Sequence, residues 1–158
     1  MARVRIGIIA DTHGLLRPEA EQQLAGVAHI VHAGDIGRPE IIARLRQIAP
    51  VSAIRGNVDT GDWAGCYPDT EIVKIGGRAL YVLHDIHDLK IDPLSSGIDV
   101  VISGHSHQPR VETVDGVLYL NPGSAGPKRF SLPITLATLE LNESGFAPTI
   151  HHLRTVPV

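Results

Sequence analysis

Carboxylate and imidazole side chains recur in short clusters along this chain, and each cluster closes an apolar run. The clusters are Asp11-Thr12-His13, Gly34-Asp35, Gly56-Asn57-Val58-Asp59, His84-Asp85 and Gly104-His105-Ser106-His107. Oxygen and imidazole donors in this mixture suit Mn²⁺, Fe²⁺, Co²⁺, Ni²⁺ or Zn²⁺ better than Ca²⁺, which prefers oxygen alone. The single cysteine, Cys66, leaves no thiolate ligand pattern, so a structural zinc finger is excluded. Asp11 and His13 are two residues apart, as are His105 and His107, so an extended strand end would project each pair to one side. The glycines before Asp35, Asn57 and His105 suit tight turns and close backbone approach. A lone acid or histidine at a strand end is ordinarily a turn or cap residue.

The runs that carry these clusters are β-branched: Val4–Ile9, His29–His32, Val51–Ile54, Leu80–Leu83 and Ile98–Ile102. Buried strands with ligands at their ends would gather distant residues at one edge, which is how loops on a rigid scaffold build a two-metal site. The first half reads β-α-β-α-β. One helix is expected to start at Arg17-Pro18-Glu19, with proline at its first position and acids in its first turn. A second is expected from Pro39-Glu40, with Ile41, Ile42, Leu45 and Ile48 on one face and Pro50 as its stop. This alternation predicts parallel strands. The second half predicts three hairpins, turning at Gly76-Gly77, at Asp115-Gly116 and around Asn142–Gly145. Two sheets packed face to face with helices outside follow from that layout.

The order D-x-H, G-D, G-N-x-D, H, G-H-x-H resembles the calcineurin-like metallophosphoesterases, and the likeness runs from Asp11 to about Arg129. The shortness of the chain makes it similar to the small bacterial and archaeal phosphodiesterase branch. With five clusters in the family's order, the turn-and-cap reading gives way. The resemblance implies a four-layer αββα sandwich of two mixed sheets flanked by helices, formed as one domain over residues 1–158. It implies two divalent transition metal ions, Mn²⁺ foremost, with Fe, Co, Ni and Zn as the other choices. Asp11, His13 and His107 would hold the first, Asn57, His84 and His105 the second, and Asp35 both. A shared carboxylate keeps two cations roughly 3.5–4 Å apart, the separation used in in-line phosphoryl displacement. Asn57 is a neutral ligand, limiting negative charge where an anionic substrate enters. The implied nucleophile is a metal-bridging hydroxide attacking a small or nucleotide-like phosphodiester, so Asp35 and Asn57 count as catalytic; Ser106 has no evident base.

Two positions depart from the wider family. Val58 stands where many phosphatases of the superfamily carry a histidine that protonates the leaving group; the small diesterase branch also tends to lack it. Asp85 stands where a glycine is usual, in a turn where a left-handed backbone is tolerated best by Gly, Asn and Asp. Asp85 would also place a carboxylate near the second metal. His87 is a candidate substrate-binding residue or replacement imidazole, the alternative being a surface loop histidine. Arg129 could hold a substrate phosphate bidentately or be a solvated loop charge. Asn121-Pro122-Gly123-Ser124 is either a turn that closes the site or a plain β-turn. Arg55 is expected to pair with Asp59 or Asp35. His32 is expected behind Asp35 as a buried strand residue with a supporting hydrogen bond, and His29, His151 and His152 as ordinary strand residues.

Composition narrows the rest. A chain of 158 residues, 43% hydrophobic, with a net charge of −3 suits a globular protein without the basic footprint of bulk nucleic-acid binding. The start, Met1–Arg5, leads straight into a strand, with neither a signal-peptide core nor a membrane span. With one cysteine this fits a reducing cytoplasm. The partner expected is a small phosphodiester, and self-association is left open. The competing functions are a phosphomonoesterase, against which the missing acid at 58 weighs, and a non-catalytic scaffold of the same fold, against which seven intact ligand positions weigh. The short length is expected to leave no room for a cap domain, so selectivity is expected from loops 60–69, 85–97 and 122–132 or from a neighbouring subunit.

Overall fold

The computed structural model describes residues 3–129 and 131–154; Met1 and Ala2 of the expected start, and Phe130 of the 122–132 loop, lie outside them. Within the described residues, ten strands and two short α-helices form the frame. β1 (Val4–Ile9), β2 (His29–His32) and β3 (Val51–Ala53) run parallel, joined through α1 (Pro18–Gln23) and α2 (Pro39–Arg46). Both helices start at their prolines, whose fixed φ and missing N–H cost nothing there. α2 buries Ile41, Ile42 and Leu45; it ends at Arg46, so Ile48 packs from just beyond the helix, before Pro50.

The three expected hairpins form. β4 (Thr70–Ile75) pairs with β5 (Arg78–Leu83), β7 (Arg110–Val114) with β8 (Val117–Asn121), and β9 (Thr135–Asn142) with β10 (Gly145–His152). β6 (Val100–Ile102) lies parallel between β5 and β8. Two mixed five-stranded sheets result, ordered β10-β9-β1-β2-β3 and β4-β5-β6-β8-β7. The last hairpin joins the first sheet because β9 pairs antiparallel with β1, Ile6 opposite Leu139.

Period-two alternation sets the layers. Ile6, Ile8 and Val31 of the first sheet meet Leu80, Val82, Val100, Ile102 and Leu118 of the second in a buried core. Ile9 and Ile30 face the other way and are covered by Leu24, Ile42 and Leu45. On the far face of the second sheet, Leu83, Val101 and Val117 are covered by Ile86, Leu89 and Ile91, in a segment whose regular structure is a single 3₁₀ turn, Ile86–Asp88. This is the αββα sandwich, with its fourth layer thin. No helix among the described residues is long and apolar enough to cross a membrane.

Candidate metal centre

All five clusters sit just past the C-terminal ends of parallel strands: β1, β2 and β3 in one sheet, β5 and β6 in the other. The sandwich brings these ends together in two groups. The ligand atoms of Asp11, His13 and His107 lie within 4.8 Å of one another, and so do those of Asp35, His84 and His105. Asn57 is exposed and lines one cavity with His84 and His105.

The backbone that aims these groups is not extended. Asp11 (φ 57°), His13 (46°), Asp35 (55°), His105 (71°) and His107 (62°) are all left-handed, and among the described non-glycine residues only Asp115, in a hairpin turn, joins them. Each such residue costs about 1–2 kcal/mol, and strain of this kind gathers where the surroundings over-determine it. The surroundings are visible. The N–H groups of Asp11, His13 and Gly14 donate to the carbonyls of Gly34, Asp35 and Ile36 at 2.8–3.0 Å, prolonging the β1–β2 ladder past its strands. The expectation that each D-x-H or H-x-H pair projects from an extended strand end is therefore corrected: left-handed residues do the aiming. Asp85, by contrast, has φ −113° and caps the 3₁₀ turn through His87, so the left-handed turn expected there does not form.

Of the glycines that precede Asp35, Asn57 and His105, Gly56 permits the closest approach, since a Cβ there would lie 2.1 Å from Asp35 Oδ1. A Cβ at Gly104 would sit 2.9 Å from Asp11 Oδ2.

The centre of the cluster holds polar atoms without partners. Asp11 Oδ1, His13 Nε2, His84 Nε2 and His107 Nδ1 are buried and make no hydrogen bond, at about 1–3 kcal/mol each. His13 Nε2 is 3.8 Å from Asp11 Oδ1 and 3.6 Å from Asp35 Oδ2; His107 Nε2 is 3.6 Å from Asp11 Oδ1. His84 Nε2 is 3.1 Å from Asp35 Oδ2 but poorly aligned for a hydrogen bond. Donors sharing one ion at about 2.1 Å stand roughly 3–3.5 Å apart, so the spacing and the orphaned atoms fit cations. Asp35 Oδ2 faces a histidine of each group, while Oδ1 accepts the Val58 N–H at 3.1 Å.

Tautomers follow from neighbours. The Ala33 carbonyl can only accept, so His84 Nδ1 donates to it at 2.8 Å and Nε2 keeps a bare lone pair. Burial pulls the His84 pKa down, but Asp35, the Ala33 carbonyl and Asp11 together hold it above the ordinary value. Burial likewise pushes Asp35 up, and His84, the Val58 N–H and His13 outweigh it, leaving its pKa low. Asp35 and His84 thus each favour the other's charged form. His32 behaves as expected: buried, it accepts the Gly34 N–H at Nδ1 and donates from Nε2 to Thr12 Oγ1, which donates to the Ile36 carbonyl.

Bracing residues are where sequence reasoning fell short. Asp59, 4% exposed, accepts from the N–H groups of Ile36, Gly37 and Gly56 at 2.9–3.0 Å, tying the loop after β2 to the loop after β3. Arg55 instead pairs with Asp69 at 2.8 Å, which corrects the expected Asp59 or Asp35 partner. Asn121 donates to the Gly104 carbonyl and Ser106 Oγ, and Ser124 Oγ donates to the Asp11 carbonyl. The Asn121–Ser124 turn thus braces both outer loops and is more than a plain β-turn. Its signal was in the sequence as the Asn-Pro-Gly-Ser run; for Asp59 the signal was only an acid three residues past a strand-end glycine.

Arg129 is exposed; burial first, and then the charges of Arg129 and His13, hold the His107 pKa low against the pull of Asp11 and Asp35. His87 belongs to neither group. Its ring, 88% exposed, lies 2.9 Å from Asp85 Oδ1, and Asp85 Oδ2 is 3.7 Å from His105 Nε2.

The family profile of the calcineurin-like phosphoesterase superfamily domain matches residues 4–144. A probable metallophosphoesterase of Methanothermobacter thermautotrophicus is 34% identical over 140 residues, 81% of either chain. A phosphodiesterase of Methanocaldococcus jannaschii is 30% identical over 139 residues, covering 76% of this chain and 83% of its own. Vacuolar protein sorting 29 from Cryptosporidium parvum superposes with a TM-score of 0.77, covering 97% of this chain and 99% of that one. At 19% identity that likeness is one of fold.

Proposed function

The chain belongs to the calcineurin-like phosphoesterase superfamily, which makes it a metal-dependent phosphoester hydrolase, and we propose that it cleaves small phosphodiesters. The observation that carries this reading is the pair of ligand groups joined at Asp35 Oδ2, with buried lone pairs left open between them. Asp11, His13 and His107 would hold one ion, Asn57, His84 and His105 the other, and Asp35 both. When bound, two divalent ions supply the Lewis acidity that makes water nucleophilic near neutral pH and offsets charge on the phosphoryl oxygens.

The protein's own contribution is positional. Asp35 is held by the Val58 N–H, His84 by the Ala33 carbonyl, and the His105 N–H donates to Asp11 Oδ2 at 3.1 Å, linking the two groups. Arg129, whose charge is felt at His107, is the candidate cation for a phosphate oxygen. No side chain at position 58 can protonate a leaving alkoxide, which favours esters with good leaving groups. The scaffold reading draws only on fold likeness, and the six gathered ligand residues, with Asn57 on the adjoining cavity, speak against it. The deciding experiment assays purified protein with Mn²⁺ on bis-p-nitrophenyl phosphate and p-nitrophenyl phosphate, with chelator as control. Chelator-sensitive turnover that prefers the diester is expected; preference for the monoester, or no turnover with any metal, overturns the proposal.

A further inference from the structure

A cavity of about 730 Å³ adjoins the second ligand group, with Asn57, His84 and His105 in its lining. That volume lies within the range of small-molecule sites. Its floor is the outer face of the second sheet. Along β5, Leu80 and Val82 turn into the core between the sheets, so Tyr81 and Leu83 turn outward and line the cavity. Ile72, 52% exposed, stands opposite Tyr81 on β4 and extends this apolar strip.

The rim is charged, yet offers no surplus of cations. Arg55 is paired with Asp69, and Asp85, Asp88 and Lys90 complete the charged lining. A second phosphate or other polyanion would meet three carboxylates for two cations, whereas hydroxyl and amino groups would find acceptors. A flat apolar face over a half-buried tyrosine, with hydrogen-bonding groups at its edge, describes what such a cavity would hold.

Resting on the phosphodiesterase reading above, we infer that this cavity receives the organic arm of the diester, and that the arm is uncharged and nucleoside-like, stacked on Tyr81. Aromatic stacking tolerates any base, so this assigns a class rather than one nucleoside.

The test uses diesters that share a p-nitrophenyl leaving group and differ in the other arm: methyl, thymidine-5′, and thymidine-5′ carrying a 3′-phosphate. With Mn²⁺-loaded protein, the thymidyl ester should show a kcat/KM at least tenfold above the methyl ester, and the 3′-phosphorylated ester should be poorer than the thymidyl one. Tyr81→Leu should raise KM for the thymidyl ester by about tenfold, the scale of one stacked base, and leave the methyl ester within twofold; Tyr81→Phe should restore the wild-type value. Thymidine alone probes the cavity without chemistry: saturation-transfer NMR should label its base protons with wild-type and Tyr81→Phe protein, and not with Tyr81→Leu. Equal kcat/KM for methyl and thymidyl esters, equal effects of Tyr81→Leu on both, or a better 3′-phosphorylated ester would overturn the inference. Base labelling without hydrolysis of any ester would uphold the cavity and sink the phosphodiesterase reading instead.

Discussion

At position 58 the chain contributes a backbone N–H to Asp35 and no titratable side chain. If nothing protonates the leaving oxygen, the rate must follow how well that oxygen departs as an anion. General acid help amounts to ~10²–10⁴-fold, so a series of phenyl diesters of graded leaving-group pKa should give a steep fall in kcat/KM, which Val58→His should flatten. Asp59 cannot take over, because three backbone N–H groups saturate its buried carboxylate. A flat wild-type slope would instead point to His87, held by Asp85. Asp35 poses the second test at this scale. Its Oδ2 faces His13 of one group and His84 of the other, so Asp35→Asn weakens both groups where His13→Ala weakens one. Mn²⁺ titration calorimetry should find both binding events weakened in Asp35→Asn and activity lower than in His13→Ala; an equal or smaller loss would contradict the shared role.

The elements matter because the ends of β1, β2 and β6 turn left-handed to aim their ligands, and those turns must be held. One brace is the His32–Thr12–Ile36 relay behind the loops after β1 and β2. Burial first, then the charges of His84 and His13, hold the His32 pKa at about 3 against the pull of Asp35. A second proton on the ring would meet the Gly34 N–H at Nδ1. In the unfolded chain the same histidine titrates near 6.5. Between those values the unfolded state binds a proton that the folded state refuses. Stability from this residue is therefore complete above about pH 6.5 and falls as pH drops toward 3, by up to about 1.4 kcal/mol per pH unit. In chelator-treated protein, the fall in Tm between pH 7 and 5 should be shallower for His32→Asn than for wild type. Parallel pH profiles for the two proteins would show that His32 does not contribute the slope.

Across the whole molecule, both ligand groups draw on both sheets. Asp11 and His13 follow β1 and Asp35 follows β2 in the first sheet; His84, His105 and His107 follow β5 and β6 in the second. Each ion would thus tie one layer of the sandwich to the other and relieve the buried lone pairs between them. Binding to the folded state alone adds RT ln(1 + [L]/Kd), about 2.7 kcal/mol at a hundredfold excess over Kd. Added Mn²⁺ should raise the Tm by several degrees, and His107→Ala, which removes the second sheet's member of the first group, should lose part of that rise. A Tm indifferent to Mn²⁺ in wild-type protein would count against metal binding at these residues.

Much of this was legible in the residue order alone. β-branched runs and their periods placed the strands, prolines placed both helix starts, and Gly-Gly, Asp-Gly and Asn142–Gly145 placed three hairpins, because these signals are local and a few residues determine them. The ligand clusters were equally plain, since a metal site advertises its residue types. What the tertiary structure decided is non-local. β9 joins the first sheet by pairing with β1 at a separation of more than a hundred residues, a choice made by which faces must be buried. The left-handed φ of five clustered residues exists because the β1–β2 ladder and the turn after Asn121 hold it, and no propensity of Asp or His would produce it unaided. Asp59 found three backbone donors and Arg55 found Asp69 because loops from different strands came together only once the sandwich closed. The same closure made the cavity over Tyr81, which no spacing in the sequence encodes, since its walls come from β4, β5 and the segment after His84.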